Sequence, residues 1–228
     1  FFGGTYFPPV RAHGRPSWQD AVSQIARLFR EDAPQIEDRA ARILEALQAQ
    51  PPGSSEGSIG GHDLSQFCRT LLSRADRDYG GFGDAPKFPT PTNLEAVLLA
   101  QELRLAPTGA LEHLVLTLKR MARGGIFDQV GGGFHRYSTD ARWRVPHFEK
   151  MLYDNGPLLA LYAQAALATG EALFLRTAHE TADWMIADML APNGGFYSTR
   201  DADSEGVEGL YYVWTPDEVK ALLPAEQY

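Results

Sequence analysis

From residue 64 onward, apolar positions recur at helical spacing in successive stretches. Leu64, Phe67, Cys68, Leu71 and Leu72 mark one helix that ends before Gly80, and Leu94, Val97, Leu98 and Leu99 mark a second. Thr92 and Glu95 have the spacing of a capping box and predict that the second helix opens there. Leu114, Val115, Leu118 and Met121 define a third. A fourth is expected to follow Pro146, through Met151, Leu152, Leu158, Leu159 and Tyr162, with Gly170 as its C-cap. Phe174, Ala178, Thr181, Ala182, Met185 and Met189 give a fifth, and Thr215-Pro216-Asp217-Glu218 carries the N-cap, proline and carboxylate of a sixth helix start.

The connections alternate in length. Those near residues 106 and 170 are short, whereas 78 to 91, 124 to 146 and 192 to 215 are long and rich in glycine, aromatics and charge. Each long connection contains a double glycine running into phenylalanine, at Gly80-Gly81-Phe82, Gly132-Gly133-Phe134 and Gly194-Gly195-Phe196. Tyr137-Ser138-Thr139 and Tyr197-Ser198-Thr199 follow the last two. Spacings of 52 and 62 residues suit a repeated helical hairpin plus a decorated loop. Stacked hairpins place all three long loops at one end, where they can line a shared cleft.

The first fifty residues differ. Phe1 to Pro9 is aromatic and β-prone and reads as a strand closed by two prolines. After Ser17, a plausible N-cap, Val22, Ile25, Ala26 and Phe29, then Ile36, Ala40, Ile43, Leu44 and Leu47 follow helical spacing, interrupted at Pro34. Gln50 to Ser58 has linker composition. The expected division is therefore 1–50, a linker at 51–62, and a helical domain over 63–228.

Composition narrows the function. A formal charge of -8 argues against nonspecific nucleic-acid binding, and no apolar run is long enough to span a bilayer. Small polar ligands such as sugars remain open. Cys68 is the only cysteine, which excludes an internal disulfide, fits a reducing, cytoplasmic setting and reads as a buried thiol. Phe1 and the lack of a signal peptide pattern make the start look like an internal point of a longer chain.

The chemistry concentrates between Phe134 and Asp154. With Pro146 opening a helix, His147 falls in its first turn and shares one face with Lys150, Met151 and Asp154, so that His147, Glu149 and Asp154 form a candidate acid/base set. Ordinary surface ion pairs on a helix are the plainer reading. His135, Arg136, Tyr137 and Trp143, with Arg142 and Arg144, combine guanidinium and aromatic groups that can hold a carboxylate and stack on a sugar face, or else form a hairpin with packed aromatics. Asp201, Asp203 and Trp214 are further candidates. Asp201 to Gly206 lacks the positions of a calcium loop, and its acids are expected on a hairpin rim with Tyr211, Tyr212 and Trp214 on the return strand. Lys87, in the proline-rigidified stretch 84–89, is a candidate substrate contact on a rim loop. His113 and His179 read as satisfied helix residues. His135 and His147 lack a third ligand, so no metal site is expected, and the chain shows no phosphate loop, dinucleotide fingerprint or nucleophile elbow. No cofactor is expected.

Several segments, Phe2 to Pro8, Gly80 to Pro89, Gly131 to Tyr137, Val145 to Asp154 and Asp201 to Gly206, resemble in order the thioredoxin-domain-containing proteins named for spermatogenesis association, whose bacterial members are called YyaL. The resemblance covers essentially the whole chain. It implies a thioredoxin-like domain with a Cys-x-x-Cys site, followed by an (α/α)6 toroid similar to six-hairpin glycosidases and N-acylglucosamine 2-epimerases. The fold expected of this chain is mainly α: the C-terminal strand and helices of the thioredoxin-like domain, without its redox motif, then the first half of a toroid with β-hairpin rim loops. Related toroids bind sugars at the loop-bearing end, and epimerase relatives use histidine acid/base pairs, which strengthens His147 as a pocket residue. Three readings follow: a sugar-binding or sugar-modifying toroid, isomerase- or epimerase-like; a non-catalytic thiol-redox or protein-interaction factor that binds a protein client; and a glycoside hydrolase or hydratase using paired carboxylates among Glu149, Asp201 and Asp203.

Overall fold

The computed structural model describes residues 7–12, 14–49 and 60–224, and the chain divides into two compact units, Phe1–Ser58 and Ile59–Tyr228. Most of the expected strand at Phe1 to Pro9 and the linker residues 50–59 lie outside the described residues. In the first unit, Ser17 caps α1 (Trp18–Glu31) in a reciprocal box with Asp20, whose carboxylate also takes two hydrogen bonds from Arg11 at 2.7 and 3.1 Å. α2 (Ala33–Ala49) starts one residue past α1, so Pro34 sits in a first turn, where its missing N–H costs nothing. Ala21 and Ile36 are buried, but Phe29, Ile43, Leu44 and Leu47 are exposed. The helical spacing held there; burial of that apolar stripe did not.

The second unit is built from α3 (Gly61–Leu72), α4 (Pro91–Glu102), α5 (Ala110–Ala122), α6 (Leu152–Thr169) and α7 (Ala172–Trp184), with α8 (Pro216–Leu222) near the end. α4 packs on α6 and α5 on α7, while sequence neighbours α3 and α4, α4 and α5, and α6 and α7 also pair. Alternate helices therefore form two layers. The two layers differ in sequence: α6 contains a single charged residue, Asp154, and α4 only Glu95 and Glu102, so both are apolar over most of their surface. Leu94, Leu98, Leu114, Leu118, Met121, Leu158, Leu161, Tyr162 and Phe174 make one continuous core, with Cys68 buried at its edge.

Two expected helix starts move. α4 begins at Pro91 with Thr90 as its N-cap, so Thr92 and Glu95 lie inside the helix and form no capping box. Proline at the first position fixes the entry without one. Pro146 opens no helix: Pro146–His147 is a strand, and the helix begins at Leu152. Gly170 at φ 72° caps its C-terminus, and Thr215 with Glu218 closes the box at α8.

The three glycine loops repeat in detail. In each, a bridge closes on the phenylalanine, Ala75 to Phe82, Phe127 to Phe134 and Leu190 to Phe196, and the next residue's N–H donates to a glycine carbonyl: Asp76 to Gly81, Asp128 to Gly133, Ala191 to Gly195. Lys87 Nζ is fully buried and donates to Asp76 Oδ2 at 2.5 Å, to the Gly80 carbonyl at 3.0 Å and to the Ala141 carbonyl at 2.8 Å. Lys150 does the same in the second loop, to Asp128 Oδ2 at 2.8 Å and the Gly132 carbonyl at 2.7 Å. Burial opposes ionisation of Asp76 and Asp128, yet the lysine and backbone donors together hold both carboxyls below their ordinary range.

Each lysine also joins its loop to the next. Lys87 exchanges backbone hydrogen bonds with Ser138, and Lys150 pairs with Arg200. The long loops are thus laced together at one end of the helical layers. A Cβ on Gly81 would stand 2.6 Å from the Trp143 ring, and one on Gly133 would stand 2.6 Å from the Trp184 ring, while both residues have φ above 70°. Glycine is required twice over, by backbone conformation and by an indole packed on its face.

Candidate functional site

The loop end carries three two-residue ladders. β1 (Tyr137–Ser138) pairs with β2 (Pro146–His147), β3 (Lys150–Met151) with β4 (Thr199–Arg200), and β5 (Asp203–Ser204) with β6 (Val207–Glu208). Asp140 shapes the first hairpin by accepting from the backbone N–H groups of Arg142, Arg144 and Val145 at 2.6, 3.2 and 2.7 Å. Trp143, at φ 64°, turns inward at its tip.

Register sets the site. Tyr137 stands opposite His147, and their rings stack at 4.9 Å and 21°. His147 Nδ1 lies 2.6 Å from Glu208 Oε1, and Nε2 lies 3.8 Å from Glu149 Oε2, beyond hydrogen-bond range. When the imidazole is neutral, donation from Nδ1 to Glu208 leaves the Nε2 lone pair facing that gap. Glu149 is held by Arg136 Nη1 at 2.8 Å, and the Arg136 N–H donates to the Glu149 carbonyl at 2.8 Å.

Asp154 lies in the first turn of α6, and its Oδ2 is buried with no hydrogen-bond partner. Burial lifts its pKa to about 6; Arg136 opposes the rise and Glu149 adds to it. Those couplings place Asp154 in the same electrostatic neighbourhood as Arg136 and Glu149. The expectation of one helical face through His147, Lys150, Met151 and Asp154 gives way to strand geometry, in which Lys150 turns inward to Asp128 while His147 remains partly exposed.

The other sequence candidates separate into buried supports and an exposed recess. Lys87 has its three donors matched by three acceptors and no exposure, so it holds the loops and has nothing left to offer a ligand. Trp143 is fully buried, with Nε1 donating to the Tyr79 carbonyl at 2.9 Å, so it cannot stack on a sugar. His135 is 2% exposed and its Nδ1 is 3.1 Å from the Phe148 carbonyl. Burial, then the charge of Lys150, pushes its pKa down to about 4, and it packs edge-on against Phe148 and Tyr212 as a neutral core group. His113 is likewise buried, with Nε2 at 3.0 Å from the Gly81 carbonyl and Nδ1 unpartnered, whereas His179 is exposed.

Asp201 and Asp203 line a recess of about 190 Å³ with Asp188, Arg200, Ser204, Tyr211 and Tyr212. Neither Glu149 nor the exposed Trp214 lines it. The acids do lie on a hairpin rim, but its return strand is Val207–Glu208, and Tyr211, Tyr212 and Trp214 come after it. Arg200 is fixed by two bonds to Asp188 at 2.9 and 2.8 Å. Asp188 sits in a π-helical turn, Met185–Met189, that extends α7 and also accepts from Trp184 Nε1 at 3.2 Å.

Sequence reasoning missed Glu208, the partner that orients His147. The signal was present: Glu205 and Gly206 both have positive φ and form the two-residue turn that pairs Asp203 with Glu208. Reading the turn would have placed Glu208 on the rim; nothing local in sequence joins it to His147, 61 residues earlier.

No protein-family model matches the chain. Over 98% of its length it is 39% identical to spermatogenesis-associated protein 20 of Homo sapiens and of Mus musculus, and over 97% it is 33% identical to an uncharacterized Caenorhabditis elegans protein. The chain spans only 30% of the length of the first two relatives and 32% of the third. Among solved structures, it superimposes on a sugar epimerase from a ruminal bacterium with a TM-score of 0.53 at 13% identity, covering 63% of this chain and 40% of that one. Cellobiose 2-epimerases of Bacillus thermoamylovorans and Spirochaeta thermophila give TM-scores of 0.53 and 0.52 at 14% and 21% identity, each over 62% of this chain and over 40% and 39% of theirs. Identities this low carry the fold alone. The chain is similar nearly throughout to part of spermatogenesis-associated protein 20, and its fold is the helical toroid of the cellobiose 2-epimerases.

Proposed function

We propose that the loop end is the working site of a sugar-modifying toroid that moves protons in the manner of an isomerase or epimerase. The observation that carries this reading is the arrangement of His147: Nδ1 anchored on Glu208, Nε2 without a hydrogen bond 3.8 Å from Glu149, and Asp154 nearby with a carboxyl that still holds its proton near pH 6. A base and an acid of this kind suit removal of a proton from the carbon next to an open-chain sugar carbonyl. Nε2 takes that proton, the C–H electron pair moves into the enol, and the carbonyl oxygen takes a proton from Asp154. Return of a proton from Nε2 to carbon, with the enol O–H proton going back to Asp154, completes the exchange. Glu149, held by Arg136, stands beside Nε2, and Tyr137 backs the imidazole. That the structural neighbours are sugar epimerases favours this class over others, although a shared fold does not itself transfer a reaction.

The test is incorporation of solvent deuterium beside the carbonyl of a panel of aldoses, ketoses and cellobiose, followed by NMR with the full-length protein. Exchange that disappears in His147→Ala with the circular dichroism unchanged supports the reading. Exchange retained in that variant rejects it. The same proposal takes residues 1–50 as the terminal strand and helices of a thioredoxin-like domain, 51–62 as linker and 63–228 as the first half of the toroid, in a cytoplasmic protein. It is supported by the similarity that runs through both units; among the described residues, no helix is long and apolar enough to cross a membrane.

A further inference from the structure

A second recess, of about 470 Å³, is lined by Leu116, Lys119, Arg120, Arg123, Gly124, Arg142 and Arg144. Five cationic side chains surround one space in a chain whose formal charge is -8. Of the five, only Lys119 has an acidic partner, Glu171; among the described residues no carboxylate pairs with Arg120, Arg123, Arg142 or Arg144. None of the lining residues belongs to the His147 cluster or to the recess beside Asp201.

Cations near a helix C-terminus are ordinarily explained by its exposed carbonyls, and that accounts for Lys119 and Arg120 in the last turn of α5. It does not account for Arg142 and Arg144, which come from another segment and are brought there by rigid geometry. The Ile126 N–H donates to the Trp143 carbonyl at 3.1 Å, and a Cβ on Gly124 or Gly125 would stand 2.5 Å from the Trp143 carbonyl or 2.0 Å from the Arg144 carbonyl. The hairpin tip is therefore pressed onto the Gly124-Gly125 backbone. With Trp143 turned inward, its neighbours Arg142 and Arg144 are left exposed on either side, and Asp140 spends its carboxylate on their backbone N–H groups. Tyr79 fixes two guanidinium groups further, Arg120 at 5.6 Å and Arg142 at 5.0 Å from its ring.

Four guanidinium groups without an acidic partner repel one another around one recess, and Tyr79 holds two of them, Arg120 and Arg142, before any ligand arrives, both of which favour a multiply charged oxyanion. The volume suits a small molecule. We propose that this recess binds the phosphate group of a phosphorylated small molecule, through Arg120, Arg123, Arg142 and Arg144.

Titration calorimetry at 50 mM salt with inorganic phosphate, glucose 6-phosphate and adenosine 5′-monophosphate tests it. The expected result is saturable binding of at least one probe, weakened at least tenfold in Arg123→Gln/Arg144→Gln, whose side chains are exposed and whose melting temperature should not change. Tighter binding of glucose 6-phosphate or of the nucleotide than of phosphate then identifies the ester. Binding should weaken as salt is raised to 300 mM and persist in His147→Ala, which separates this site from the proton-transfer reading. No binding of any probe, or equal binding by the double variant, overturns the proposal.

Discussion

Lys150 Nζ lies 2.8 Å from Asp128 Oδ2 in the second glycine loop, as Lys87 Nζ lies 2.5 Å from Asp76 Oδ2 in the first. Removing one member of such a buried pair leaves a charge without compensation, which typically costs about 3–5 kcal/mol. Lys150→Met is therefore expected to destabilise the protein by that amount in urea unfolding. Combining it with Asp128→Asn, which removes the stranded charge but keeps an acceptor for the loop N–H groups, should recover part of the loss.

Gly133, the second glycine of its pair, and Gly194, the first of the next, have different surroundings. A Cβ at Gly133 meets the Trp184 ring at 2.6 Å, whereas one at Gly194 meets nothing within 4 Å, and φ is positive at both. Gly194→Ala should cost about 1 kcal/mol for the backbone conformation alone. Gly133→Ala should add roughly 1–3 kcal/mol from overpacking and alter the near-ultraviolet dichroism of Trp184.

Asp154 gives a pH signature. Its folded pKa of about 6 lies above the ordinary value of 3.8, so the native state binds the extra proton between those values. Stability from this group is complete below about pH 4 and is lost as pH rises through 6. Asp154→Asn should accordingly stabilise the fold at pH 7.5, by on the order of 1–2 kcal/mol after allowing for water at the site, and by nothing at pH 4. Thermal melts across that range decide it.

Glu208 touches His147 rather than a ligand, so its effect should be one of positioning. Glu208→Ala is expected to lower the solvent-exchange rate about 100-fold with little change in KM, because Nδ1 loses the acceptor that selects the imidazole tautomer. Glu208→Gln, which can still accept through its amide oxygen, should recover part of that rate.

Helices were legible because their signal is local: the spacing at Leu114, Leu118 and Met121 or at Phe174, Ala178 and Thr181 needs no distant partner. Thr92 with Glu95 misled because a capping pattern inside a helix looks the same as one at its start, and Pro91 had already fixed the entry. Pro146 misled for the opposite reason. Its strand exists through pairing with Tyr137 and Ser138, and short rim strands carry too few residues for alternation to show. The site was legible as a neighbourhood, since His147, Glu149, Arg136, Tyr137 and Asp154 do gather at the loop end. The roles of Lys87, Trp143 and His135 were not, because burial depends on contacts with Asp76, Tyr79 and Tyr212 that lie 11, 64 and 77 residues away.

The third loop has Ala191 where the first two have Asp76 and Asp128, so it lacks the buried anchor of its predecessors, and its residues 192–201 are exposed throughout. Yet Glu208, on the hairpin that follows, selects the tautomer of His147. The imidazole is thus gripped from two directions, by Tyr137 on the second loop and by a carboxylate beyond the third, which is tied back through Arg200 to Lys150 and Asp188. The carboxylate that orients the imidazole therefore belongs to a different loop from the imidazole itself, and whatever moves the outer hairpin turns the ring with it.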